Sequence, residues 1–195
     1  MRRTCIAAVA TAALTAIAFP ATAAPEQEAP PLPPGFVVAQ GEFETYREDA
    51  DAITYDTVLV PVGAQIGVLS SRTSEGGTRV VLAVRGLVPE REYGAHVHVG
   101  ECGASGDDAG PHFQYVQDPK PGPSVDPEYA NPENEIWLDF TTNEEGEGLS
   151  ASKVAWRFPD DRRPRSVVIH EHHTLTGPGE AGMAGARLAC LNVPF

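Results

Sequence analysis

Residues 64–84, AQIGVLSSRTSEGGTRVVLAV, hold two runs that alternate between apolar and polar side chains, 64–73 and 78–84, separated by Ser74-Glu75-Gly76-Gly77. Residues i and i+2 of a strand face the same side, so each run can bury one face and wet the other. The Glu-Gly-Gly segment is hairpin chemistry, because glycine supplies the positive φ that tight connections between antiparallel strands demand. An antiparallel pair is therefore the unit from which the chain is built.

Short runs of the same kind continue outward. They cover residues 93–99, 136–142, 149–158, 165–173 and 186–193, and Asn143-Glu144-Glu145-Gly146-Glu147-Gly148 reads as a second hairpin. No segment keeps a sustained 3.6-residue apolar period, and 19 glycines with 18 prolines suit many turns. The pattern predicts an all-β, immunoglobulin-like Greek-key antiparallel barrel or sandwich of about eight strands. Two long loops interrupt it, at 101–135 and 174–185; the first needs a disulfide, a metal or an active site to justify its length.

The N-terminus reads differently. Met1-Arg2-Arg3, an apolar stretch over 5–19, then Pro20 and Ala21-Thr22-Ala23-Ala24 form the three parts of a secretory signal, 1–23, cut near Ala23. The acidic, Pro-rich segment 24–35, APEQEAPPLPPG, reads as an extended linker, leaving 36–195 as the domain. The formal charge of −13 becomes −15 once Arg2 and Arg3 leave. Such a surface excludes nucleic acid as a partner and excludes stable contact with anionic membranes. Cys5 leaves with the signal, so Cys102 and Cys190 remain in an oxidising compartment (secreted, periplasmic or cell-envelope), and one disulfide is the natural reading. Nothing in the sequence identifies a surface that would fix an oligomeric state.

Six histidines carry the chemistry: His96, His98, His112, His170, His172 and His173. His96 and His98 stand at i and i+2 of a strand, so their imidazoles can converge on one ion. His170 ends the β-branched run Val167-Val168-Ile169, and His112 follows Gly110-Pro111, where a tight turn can fold it over the strands. Any one of these alone is an ordinary strand or loop histidine. Together they suit copper, zinc or nickel better than calcium or magnesium.

The motifs Tyr93-Gly94-Ala95-His96-Val97-His98, Cys102, Gly110-Pro111-His112-Phe113, Val167-Val168-Ile169-His170-Glu171 and Gly185-Ala186-Arg187-Leu188-Ala189-Cys190 resemble those of the copper-zinc superoxide dismutases, in the family's order, over about residues 64–193. The short gap from His98 to Cys102 is similar to exported bacterial members. The resemblance implies His96, His98, His112 and His170 as copper ligands, and Arg187 as the group that pairs with superoxide. It also implies a Cys102–Cys190 bridge, and a catalytic part for His112 as the histidine shared between two metals.

The zinc pattern is missing. Between His112 and Ile136 there is no histidine, only acids such as Asp118, Asp126, Glu133 and Glu135, a set too hard for a tight zinc site. Thr174 stands where the family has an aspartate, and the loop after His170 is short and free of lysine. Copper without zinc is the expectation, with His112 staying on copper, swinging free, or held by a carboxylate such as Glu171 or Asp139. His172 and His173 are candidates to line the mouth of the site. Two functions fit: an exported copper-only dismutase converting superoxide to O2 and hydrogen peroxide, or an exported copper-buffering protein of the same fold with little turnover.

Overall fold

The hairpin expected from residues 64–84 is formed by β3 (Gln65–Arg72) and β4 (Thr78–Arg85). Arg72 pairs with Thr78 across the turn, the Thr73 N–H donates to the Gly77 carbonyl, and Gly76 takes φ +90°. The computed structural model describes residues 35–195. The signal expected at 1–23 lies outside the described residues, as does the linker expected at 24–35 apart from Gly35.

The remaining strands are β1 (Phe36–Glu42), β2 (Ala52–Thr54), β5 (Glu92–His98), β6 (Phe140–Thr141), β7 (Gly148–Val154), β8 (Ser166–His170) and β9 (Arg187–Asn192). One sheet runs β1-β3-β4-β7, the other β2-β9-β8-β5-β6, with every strand pair antiparallel. This is a Greek-key β-sandwich, as the alternation predicts. Ile66, Val68, Val80 and Leu82 from the first sheet meet Tyr93, Val97, Ile169 and Leu191 from the second in one core. Each such side chain contributes about 1.5–3 kcal/mol on burial. Among the described residues no helix is long and apolar enough to cross a membrane.

The second hairpin expected at 143–148 is not one. The turn closes, with the Asn143 N–H donating to the Glu147 carbonyl at 2.9 Å. Its flanking strands, however, join different sheets: β6 pairs with β5, and β7 with β4. Gly146 explains the crossover. It takes φ +73° and is pressed so close to Leu87 that a Cβ would lie 2.2 Å from the Leu87 carbonyl oxygen. The turn is seated on the chain leaving β4 and carries the polypeptide across the sandwich.

The run expected at 136–142 is a strand only over β6. Upstream, Ile136 and Leu138 ride along β5 through single hydrogen bonds, from the Val97 N–H to the Ile136 carbonyl and from the Leu138 N–H to the Ala95 carbonyl. Cys102 and Cys190 are joined, tying the long loop to β9 across a separation of 88 residues. On the chain-entropy account that closure is worth about 4–5 kcal/mol.

Candidate metal centre

Strand alternation divides β5 between two tasks. Ala95 and Val97 point into the sandwich core, so His96 and His98 point to the opposite face. On β8, Val167 and Ile169 take the core side and leave Val168 and His170 on the other. The antiparallel register sets Gly94 opposite His170 and His96 opposite Val168. Gly94 is obligatory there, because a Cβ would lie 2.5 Å from the His172 carbonyl oxygen of the chain passing over it.

His112 is brought in by the long loop. The Val99 N–H donates to the Pro111 carbonyl and the Phe113 N–H to the Val97 carbonyl, bracketing His112 against β5. Phe113, fully buried in the core, anchors the turn. His96, His98, His112 and His170 thus offer one ligand atom each within 4.8 Å of one another. His98 Nε2 and His170 Nε2 stand 3.3 Å apart.

The partners of these rings fix their tautomers. His98 Nδ1 lies 2.9 Å from the Gly110 carbonyl, an acceptor only, so this nitrogen carries the proton and Nε2 keeps its lone pair. His112 Nδ1 lies 2.8 Å from Glu135 Oε2, which assigns the proton to Nδ1 in the same way. His96 Nε2 is 2.6 Å from Thr174 Oγ1, whose single proton is donated to Asp139 Oδ1 at 2.7 Å. The hydroxyl must therefore accept from His96 Nε2–H, leaving Nδ1 bare. Three lone pairs are directed into the cluster by groups that can only accept, or have spent their proton.

Burial and mutual repulsion favour the neutral form of His96, His98 and His170. Desolvation first, then the neighbouring rings, hold His96 and His98 well below the usual histidine range. The same causes bring His170 down to about 3. His96 Nδ1 and His170 Nδ1 find no hydrogen-bond partner although buried. His96 Nδ1, orphaned and unprotonated beside the other three rings, is a donor that a metal ion satisfies, so the residues fit copper.

Arg187 is the register partner of His170 across β8 and β9. Its guanidinium donates to the Gly106 carbonyl at 2.8 Å, and Asp107 lies 4.0 Å away. Gly106 opens a 3-10 turn, Gly106–Ala109, capped by Ser105. Burial lowers the arginine's pKa, with Asp107 and Tyr55 opposing. A cavity of about 410 Å³ is lined by His112, Glu135, His170 and Arg187, with Val99 and Pro111 among its apolar walls.

The family model described as copper/zinc superoxide dismutase matches residues 65–193. The chain belongs to the copper/zinc superoxide dismutase family. A Cu/Zn superoxide dismutase from Brucella abortus is 19% identical, with a TM-score of 0.54 over 80% of this chain and 97% of that one. A double mutant of a SOD-like protein from Bacillus subtilis is 16% identical, with a TM-score of 0.48 over 65% of this chain and 86% of that one. No curated protein matches.

Within this dismutase framework the four expected histidines cluster, and His112, His170 and Arg187 line one cavity. The expected carboxylates behave otherwise. Glu171 is exposed and accepts from the Ala186 N–H at 3.2 Å, so it does not hold His112. Asp139 accepts from Thr174 and from the Ala95 N–H, and supports His96 rather than His112. His112 is held instead by Glu135, a residue that the sequence reading counts only among acids unsuited to zinc. His172 is exposed, with Nδ1 on the His173 carbonyl, and His173 Nε2 meets the Phe140 carbonyl. Trp137, Gln114 and Thr174 stand outside the sequence expectation as site residues. Only the position of Thr174, in place of the family aspartate, could have drawn attention to it.

Proposed function

We propose that the protein is an exported dismutase that converts superoxide to O2 and hydrogen peroxide at a single copper ion held by His96, His98, His112 and His170. One observation carries this reading: four ring nitrogens gathered within 4.8 Å, two of whose histidines, His112 and His170, share a cavity with an arginine. When bound, copper supplies the one-electron couple by which one superoxide is oxidised to O2 and a second reduced, with two protons, to hydrogen peroxide.

The chain's own residues do the rest. Arg187 is a fixed cation in a protein of formal charge −13, and it attracts and orients a small anion at the cavity by charge-assisted hydrogen bonding. The Gly106 carbonyl keeps the guanidinium from swinging out. Glu135 occupies the place beside His112 Nδ1 that a second metal would need, and its carboxylate holds a proton at that nitrogen. This supports function without zinc. Export rests on the signal-like character of residues 1–23.

Metal content and superoxide turnover, measured on one copper-reconstituted, disulfide-oxidised preparation, test the proposal. One copper, no zinc and rapid turnover support it. One copper with negligible turnover replaces it with the copper-buffering function. Equal copper and zinc removes the assignment of Glu135.

A further inference from the structure

Glu135 is only 1% exposed, and among the described residues no lysine or arginine pairs with it. A buried carboxylate survives only if its lone pairs are satisfied. Here three N–H groups do so. Oε2 accepts from His112 Nδ1 at 2.8 Å and from Trp137 Nε1 at 2.7 Å, while Oε1 accepts from Gln114 Nε2 at 2.8 Å.

The orientation of the Gln114 amide is determined independently. Its Oε1 accepts from the Asp118 N–H at 3.1 Å, so its NH2 is the end that faces Glu135. Trp137 is fixed by its backbone, which bridges to His96 on β5. Two neutral donors on separate loop segments therefore aim one carboxylate at the histidine that the long loop contributes.

We propose that Trp137 and Gln114 are positioning residues that lock Glu135 against His112 Nδ1 and thereby set how strongly His112 donates to copper. Trp137 shares the oxygen that His112 uses. Its hydrogen bond withdraws charge from Oε2 and weakens the pull of Glu135 on the His112 proton. Gln114 acts through the other oxygen, at one remove. Without these donors Oε2 becomes a stronger acceptor, His112 gains imidazolate character, and its Nε2 donates more strongly. Copper(II) gains more from that donation than copper(I), so the reduction potential falls. The inference rests on the proposed copper site.

The test compares the disulfide-oxidised, copper-loaded protein with Trp137→Phe, Gln114→Met and the double variant. The Cu(II) paramagnetic resonance spectrum and the Cu(II)/Cu(I) potential are recorded for each, with thermal unfolding of the metal-free forms alongside. The expected result for Trp137→Phe is about a tenfold shift in favour of Cu(II), equivalent to a potential about 59 mV lower. Gln114→Met should shift less in the same direction, with an altered Cu(II) hyperfine coupling in both. Lower thermal stability with an unchanged potential and spectrum would reduce both residues to packing and overturn the inference. A potential that rises overturns it as well. If Trp137→Phe fails to fold, Gln114→Met alone decides, since that side chain lies on the loop. A wild-type spectrum without nitrogen ligation from the histidines would instead refute the copper site itself.

Discussion

Thr174 stands between His96 and Asp139, 2.6 Å from the ring nitrogen of one and 2.7 Å from the carboxylate of the other. The hydroxyl is the link that turns His96 Nδ1 toward the cluster. Thr174→Val keeps the shape and removes the link, so His96 can adopt the other tautomer. Copper affinity should fall by about 10–100-fold, and Thr174→Ser should restore most of it. Competition against a copper chelator gives the answer; equal affinities for valine and threonine would show that packing alone orients His96.

Arg187 is held by the Gly106 carbonyl, with the exposed Asp107 carboxylate 4.0 Å away, and its guanidinium faces the cavity that an anion would enter. A charge-assisted hydrogen bond is worth about 1.5–3 kcal/mol. Arg187→Ala should therefore lower superoxide turnover by about 10–100-fold with copper content unchanged, and Arg187→Lys should recover part of it. Turnover by the alanine variant at the wild-type rate would remove the arginine from the reaction.

The neutral histidines make the metal-free protein acid-sensitive. His96, His98 and His170 have folded-state pKa values below the unfolded value of about 6.5, so the unfolded chain binds more protons as pH falls. Stability should be fully present above pH 6.5 and drain away between about 6.5 and 3, where His170 titrates in the folded state. Each pKa unit of separation contributes about 1.4 kcal/mol. Urea unfolding of the metal-free protein at stepped pH should show this slope. A flat profile over that window would mean that the rings are protonated in the folded state.

The Cys102–Cys190 bridge holds two parts of the site in register. Cys102 begins the loop that supplies Gly106, and Cys190 lies on the strand that starts with Arg187. Reduction should lower stability by about 4–5 kcal/mol. It should also cost turnover before unfolding begins, since the carbonyl that steadies Arg187 loses its tether. Activity followed through a thiol titration, with circular dichroism beside it, separates the two effects. Simultaneous loss of both signals would leave the bridge a purely global role.

Most of the strands were legible from alternation and from hairpin chemistry at 74–77, and His96 and His98 from their i, i+2 spacing, while His112 and His170 were legible only through the motifs that resemble the dismutase family. The crossover at 143–148 was not legible, because a turn closes the same way whether its flanks pair or part. What decides between them is the contact of Gly146 with Leu87, 59 positions earlier. The edge strand β1 and the three-residue β2 carry too little pattern to announce themselves. Glu135 was visible but misjudged. Its value comes from Trp137 and Gln114 converging on it, and convergence of loop segments leaves no periodic trace. Thr174 looked like a loss until Asp139, 35 residues before it, supplied the missing carboxylate.

The division of β5 into a core-facing and a metal-facing row has a consequence for inheritance. Ala95 and Val97 answer to the sandwich, while His96 and His98 answer to the loops above them and to His170. Descent can rewrite one row without consulting the other. Loop residues such as Glu135 can therefore set what the metal-facing row does without touching the row that packs the core.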